Sequence, residues 1–272
     1  MADPGSSVSS GHAGRPRRIG FWYRLAAVIL RPTLMVLTRR DWHGAENLPR
    51  SGGIVVVTNH VSHADPLAFA HFLFDNGRLP RFLAKEALFR VFFVGQVLRG
   101  AKQIPVYRES TDAESAYRAA VAAVESGECV AFYPEATLTR DPDGWPMVGK
   151  TGAARVALET GAPVVPIAQW GPQELLAPYT KRPHLFPIKT MHVRCGPPVD
   201  LAEFQGRPID GPLLKAVTER IMAAITELLE ELRGEPAPAV RFDVRGTTLP
   251  RTGDPTRAAK GPTGTERPRR PA

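Results

Sequence analysis

The strongest constraint on the fold is a rhythm. From residue 54 to residue 195, short aliphatic runs alternate with stretches of helical period. Ile54–Val57 is Ile-Val-Val-Val, short and β-branched, so it reads as a buried strand. Arg81–Ala84, Ile104–Tyr107, Cys129–Tyr133, Val164–Ala168 and Thr190–Cys195 read as further strands. Pro66–Phe74, Leu88–Leu98, Asp112–Ser126 and Thr151–Thr160 read as helices between them, the last two stopped by Gly127 and Gly161. Pro212–Arg233 closes the series, with Leu214, Val217, Ile221, Ile225, Leu228 and Leu232 on one face and Gly234 just beyond. Such alternation predicts a single α/β domain over residues 41–233, with a mostly parallel or mixed central sheet flanked by helices. A chain of 272 residues is long enough to bury that core.

The two ends differ from this body. The net charge is +8, but residues 234–272 carry eight Lys or Arg against four acids, and residues 1–18 carry three Arg against one Asp. That leaves +2 for everything between. Both ends are poor in large apolar residues and are expected to be disordered, the second also being Pro-rich. Loose basic ends suit an anionic partner such as a lipid surface or nucleic acid, or are simply solvated. Residues 19–40 are strongly apolar, but Arg24, Arg31 and Pro32 interrupt them and the clean run is shorter than the ~20 residues a bilayer span needs. A kinked helical segment at the membrane interface fits, with Trp22, Tyr23 and the arginines at headgroup level; the other reading is a helix packed on the core. Cys129 and Cys195 sit in apolar runs and read as reduced core residues of a cytosolic compartment.

Four blocks carry candidate chemistry. The first is Asn59-His60-Val61-Ser62-His63-Ala64-Asp65, directly after the Ile54–Val57 strand. A neutral imidazole accepts a proton near neutral pH, and a carboxylate on its other nitrogen fixes the tautomer. His60 and Asp65 are five positions apart across a strand-to-helix turn, close enough to meet. Ser62 and Pro66 suit the start of the following helix. The same residues with His63 offer three metal ligands, so a metal-dependent hydrolase is a rival reading. The second block delivers Arg108 after a strand, where a guanidinium fork suits phosphate or carboxylate. The third is Tyr133-Pro134-Glu135-Ala136-Thr137-Leu138-Thr139-Arg140, in which Glu135 needs a partner to lie so near a buried strand. The fourth, Val164-Val165-Pro166-Ile167, suits an acyl pocket or plain core. The chain has no Gly-x-Ser-x-Gly, no P-loop and no Gly-x-Gly-x-x-Gly after a strand. A serine nucleophile and a nucleotide cradle therefore have no support.

Together the four blocks resemble the 1-acylglycerol-3-phosphate acyltransferases, over about residues 42–196. The family's Asn-His-x-Ser-x-x-Asp is matched at every fixed position by Asn59, His60, Ser62 and Asp65. Arg108 matches the arginine of its second motif, and Val165-Pro166-Ile167 resembles its fourth. Its Phe-Pro-Glu-Gly-Thr-Arg-Ser is met by Pro134, Glu135 and Thr137, with Ala136 for the glycine and Leu138 for the arginine. Arg140 or Lys150 is then the expected substitute for that arginine.

The resemblance implies acyl transfer from an acyl thioester, acyl-CoA or acyl carrier protein, to a lysophospholipid hydroxyl. The default acceptor is 1-acylglycerol-3-phosphate, with another lysolipid or alcohol as the alternative. His60 is implied as general base and Asp65 as its orienting carboxylate. Asn59, Ser62, Arg108, Glu135, Ala136, Thr137 and Arg140 are implied as substrate-binding residues. No metal or tightly bound cofactor and no nucleic acid is implied. The expected seat is the cytoplasmic face of the cell membrane, peripheral or monotopic, in contact with its lipid surface.

Overall fold

A computed structural model describes residues 20–106, 113–250 and 253–255. Its strands are β1 Thr38–His43, β2 Ile54–Thr58, β3 Pro80–Lys85, β4 Ile104–Val106, β5 Cys129–Phe132, β6 Val164–Trp170 and β7 Lys189–Cys195. They form one sheet in the order β1-β7-β6-β2-β5-β3-β4. All neighbours run parallel except β6 and β7. The helices are α1 Phe21–Leu37, α2 Asp65–Asp75, α3 Glu86–Arg90, α4 Phe92–Gly100, α5 Ala113–Glu125, α6 Gly152–Thr160, α7 Pro172–Leu175 and α8 Gly211–Arg233. The expected mixed α/β sheet with flanking helices is what forms.

The reason lies in β2. All five of its residues are buried, and the first four are aliphatic because both faces of the sheet are covered. Val55 and Val57 face one core with Val130, Phe132 and Val164, under α5, α6 and α8. Ile54 and Val56 face the other, with Phe69, Phe72 and Leu73 of α2. Each such side chain contributes about 1.5–3 kcal/mol on burial. Cys129 and Cys195 are free thiols in this second core, and burial pushes both up to about 12. The Val164–Ile167 run is plain core, buried between β2 and β7. Pro166 is tolerated there because β6 pairs with β7 only from Ile167 onward. Helix α8 is closed at both ends: Asp210 accepts from the Leu213 N–H, and Gly234 takes the left-handed conformation at φ 71°.

Three expectations need correction. The helical segment expected through residue 40 ends at Leu37, and Thr38–His43 is an edge strand paired with β7. It was hidden because its sequence, Thr-Arg-Arg-Asp-Trp-His, lacks an apolar run. The helix expected over Leu88–Leu98 is two helices, broken where Val91 turns extended at φ −69° and ψ 121°. The loose tail expected from Gly234 instead lies against the domain as far as Pro250: the Val148 N–H donates to the Phe242 carbonyl, and Arg241 pairs with Glu219. Helix α1 is docked without being covered. Trp22 packs on Gly100, where an added Cβ would lie 2.1 Å from the indole. Arg31 forms a bidentate pair with Asp75. Yet Leu34 is the single buried residue of α1, and Val28 and Val36 stand 71% and 72% exposed. Among the described residues, no helix is long and apolar enough to cross a membrane.

Candidate active site

Three parallel strands, β2, β5 and β6, deliver their C-terminal residues to one edge of the sheet. Such an edge is where α/β sheets build sites. Beyond β2 the chain turns through Val61–Ala64 and enters α2 at Asp65. That turn folds the Asp65 carboxylate back under the loop. Its Oδ2 accepts from the Val61 N–H at 2.6 Å, the Ser62 N–H at 2.8 Å and His60 Nδ1 at 2.8 Å. Asp65 is fully buried, while the His60 side chain keeps 15% of its surface. Because Nδ1 must donate to the carboxylate, Nε2 is left with its lone pair.

The backbone of His60 is held as firmly as its ring. Glu135 Oε1 accepts from the His60 N–H and Oε2 from the Met147 N–H, each at 3.0 Å. The His60 carbonyl accepts from the Thr139 N–H at 2.8 Å. Glu135 is 2% exposed, and burial pushes its carboxyl up to about 8, against the two backbone N–H groups that favour the carboxylate. Asn59 bridges β2 to β6: Nδ2 donates to the Gln169 carbonyl at 3.0 Å and Oδ1 accepts from the Gln169 N–H at 2.9 Å. Ser62 Oγ donates to the Leu176 carbonyl at 2.6 Å and accepts from the Ala64 N–H at 3.0 Å. Asn59, Ser62 and Glu135 were expected to grip substrate; the structure corrects this. All three are buried, and their polar atoms are spent inside the protein, as burial requires. They build the frame that holds His60.

The metal reading has no matching geometry. His63 turns toward Tyr179, ring edge to face at 6.1 Å, and among the described residues no three His, Cys, Asp or Glu side chains group as a ligand set. Burial, followed by the nearby His60, lowers the His63 imidazole.

Residues 39–170 match the profile of the Acyltransferase family. They are an acyltransferase-family domain. The chain is 32% identical over 125 residues to a 1-acyl-sn-glycerol-3-phosphate acyltransferase of Borreliella burgdorferi, covering 46% of this chain and 48% of that one, so it spans about half of that relative. It is 28% identical over 213 residues to the Bacillus subtilis protein of the same name, covering 77% of this chain and 98% of that one. The crystal structure of a 1-acyl-sn-glycerophosphate acyltransferase from Thermotoga maritima superposes with a TM-score of 0.58 at 24% identity, over 79% of this chain and 81% of that one, and so shares the fold.

The departures from the family pattern now have places in the acyltransferase domain. Ala136 closes the turn after β5, its N–H on the Tyr133 carbonyl at 2.9 Å, and does so in the left-handed region at φ 58°. Glycine is the usual residue there because it adopts that conformation without strain. Leu138 is buried at 2%, so this position points into the protein. Thr137 is half-buried and Lys150 exposed. Arg140 is 7% exposed, with its fork engaged by the Tyr179 hydroxyl and the Gly253 carbonyl and its Nε without a partner among the described residues. It lines a cavity of about 350 Å³ with Val61, Thr139, Trp170, Tyr179 and Leu249. His60 is not among the residues that line that cavity. Arg108 lies outside the described residues.

Gln169 and Tyr133 carry roles that the sequence reading did not assign. Gln169 shares the bridge with Asn59, its Nε2 donating to the Asn59 carbonyl at 3.1 Å. Tyr133 lies under the imidazole with ring centroids 4.1 Å apart. A polar Gln ending an apolar strand was the one available signal for the first. For the second it was the aromatic position that opens the third block.

Proposed function

We propose that this protein transfers an acyl group from an acyl thioester, acyl-CoA or acyl carrier protein, to the free hydroxyl of a lysophospholipid, with 1-acylglycerol-3-phosphate as acceptor and phosphatidic acid as product. The observation that carries it is the 2.8 Å contact between His60 Nδ1 and Asp65 Oδ2 at the open edge of the sheet. It leaves Nε2 as the free base. Nε2 takes the hydroxyl proton, and the oxygen attacks the thioester carbonyl carbon. The tetrahedral intermediate collapses, the C–S bond breaks, and the departing thiolate takes the proton back from the imidazolium. Asp65 keeps the tautomer and stabilises the transient cation. The 1-acyl-sn-glycerol-3-phosphate acyltransferases of Borreliella burgdorferi and Bacillus subtilis, by their names, support this acceptor.

Arg108 and Arg140 would hold the acceptor phosphate, Arg140 after exchanging the internal acceptors that now engage its fork. The protein would work seated on the cytoplasmic face of the membrane. Supporting that seat, α1 packs on α4, and this flank bares Val28, Val36, Val91, Phe92 and Phe93 together. An exposed apolar patch of this kind suits a lipid surface.

The test is purified protein with acyl-CoA or acyl carrier protein donors and a panel of lysolipids, read by mass spectrometry. Ester formation on lysophosphatidate is expected, and none with His60→Ala. A folded His60→Ala protein of normal activity would overturn the mechanism. Transfer confined to acceptors without phosphate would overturn the acceptor.

A further inference from the structure

Arg140 and Tyr179 meet in the wall of one cavity of about 350 Å³. Two other lining residues join that wall to the His60 loop. Val61 follows His60 directly, and the Thr139 N–H donates to the His60 carbonyl at 2.8 Å. The segment that carries Tyr179 is fastened to the same loop, because Ser62 Oγ donates to the Leu176 carbonyl at 2.6 Å. Turn 177–180 then closes with the Thr180 N–H on the Ala177 carbonyl at 3.1 Å. Within it Tyr179 holds φ 60°, a strained conformation for a residue with a side chain, which persists where the surroundings fix it. The Tyr179 ring meets His63 edge to face at 6.1 Å, and the Arg140 guanidinium lies 5.1 Å from its centroid.

This pair is rich in donors. One arm of the buried Arg140 fork donates to the Tyr179 hydroxyl and the other to the Gly253 carbonyl at 2.6 Å. Its Nε has no partner among the described residues. Both acceptors are neutral oxygens, and a hydroxyl that accepts from a guanidinium still has its own hydrogen to give. A charged oxygen binds a guanidinium more strongly than a neutral one. An anion entering here would displace the Gly253 carbonyl and meet N–H and O–H donors together. The carboxylates of the same wall are placed otherwise: Asp141 Oδ1 accepts from the N–H groups of Asp143 and Trp145, at 2.9 and 3.1 Å, and Asp143 is exposed. Asp254, whose charge acts on Arg140, adjoins Gly253 in the chain, so that charge would be displaced with the carbonyl.

We propose that the Arg140–Tyr179 pair seats a phosphomonoester, and that Tyr179, which lies in none of the four sequence blocks, is a phosphate-binding and specificity-determining residue for the acceptor. This rests on the reading of Arg140 as a holder of the acceptor phosphate. In lysophosphatidate the phosphate and the reacting hydroxyl are a few bonds apart, which suits a cavity whose wall includes Val61, the neighbour of His60. The guanidinium answers the phosphate charge, and the hydroxyl adds a donor from a second segment of the chain.

The experiment titrates wild type, Tyr179→Phe and Arg140→Ala with glycerol 3-phosphate and, separately, with inorganic phosphate, read by phosphorus NMR. Tyr179→Phe keeps the ring and removes only the hydroxyl. Glycerol 3-phosphate is expected to bind wild type, to bind Tyr179→Phe about tenfold more weakly, and not to bind Arg140→Ala measurably. In acyl transfer, KM for lysophosphatidate should rise by the same factor in Tyr179→Phe, with kcat within about twofold and KM for the thioester unchanged. A hydroxyl that served only the fold would lower the melting temperature and leave these affinities alone. Equal affinity of wild type and Tyr179→Phe for glycerol 3-phosphate overturns the proposal. Inorganic phosphate binding as tightly as glycerol 3-phosphate would make this a free-phosphate site and overturn its link to the acceptor, whereas weaker binding assigns it to the lipid headgroup. The titration needs no turnover, so failure of lysophosphatidate as acceptor and failure of the Tyr179 site are told apart.

Discussion

Two regions of this molecule invert the usual partition of side chains, in opposite senses. At the C-terminal edge of β2, β5 and β6, Asn59, Ser62, Asp65, Glu135 and Gln169 are polar and buried. On the flank formed by α1, α3 and α4, Val28, Val36, Leu88, Val91, Phe92 and Phe93 are apolar and exposed. The first region is costly unless nearly every donor and acceptor is matched, since an unpaired buried group costs about 1–3 kcal/mol. It is matched almost throughout, and the few exceptions gather around His60. The second region costs the fold little. Its apolar area is a reserve of about 25 cal/mol per Å² for whatever later covers it. One region turns folding free energy into fixed geometry, and the other keeps free energy available for attachment.

The comparison breaks most visibly at Asp65. Asp65→Asn should lower acyl transfer by about 10²–10⁴-fold, because the imidazole loses its fixed tautomer. The measurement is kcat with saturating donor, alongside circular dichroism to show the fold. Retention of activity within a factor of two would mean that the buried polar frame serves stability alone.

Glu135→Ala comes next. It unpairs the N–H groups of His60 and Met147, so urea unfolding should show a loss of about 2–4 kcal/mol, with activity falling because the His60 loop loosens. The same residue gives a pH signature. Folding raises its carboxyl from 4.5 to about 8, so the folded state favours the protonated form. That contribution is complete below about pH 4.5 and is lost as pH rises through about 8. Wild-type melting temperature should fall between those limits, and Glu135→Gln should flatten that part of the curve. Parallel curves would refute the linkage.

The flank should answer in the reverse manner. Phe92→Ser with Val36→Ser is expected to leave the melting temperature within a few degrees of wild type, yet to weaken binding to anionic vesicles by about tenfold or more. Unchanged sedimentation with vesicles would show that this patch is not a lipid seat. The smallest effect is at Ala136, held at φ 58°. Ala136→Gly should raise stability by about 0.5 kcal/mol, read by denaturant midpoint, and a destabilised variant would contradict the strain assigned to that turn.

Much of the fold was legible because a strand covered on both faces must be apolar throughout, and an amphipathic helix must repeat near every fourth residue. The β2 strand and α8 are the plainest cases. The edge strand β1 was not legible, because it is half solvated and carries Arg39, Arg40 and Asp41. The docking of residues 234–250 was hidden for a related reason: it is settled by a surface elsewhere in the chain.

The site divides in the same way. His60 and Asp65 lie within one turn, so local spacing alone brings a ring nitrogen and a carboxylate within reach. The sequence by itself determined this pair, the strand that presents it and the αβ rhythm around it. Only the tertiary structure decided that Glu135, 75 residues away, clamps the His60 backbone, that Asn59 and Gln169 lock across 110 residues, and that Tyr133 lies under the imidazole. The physical reason is burial. A polar side chain taken out of water must find its partner wherever the fold supplies one, and parallel strands bring together residues that no local pattern connects.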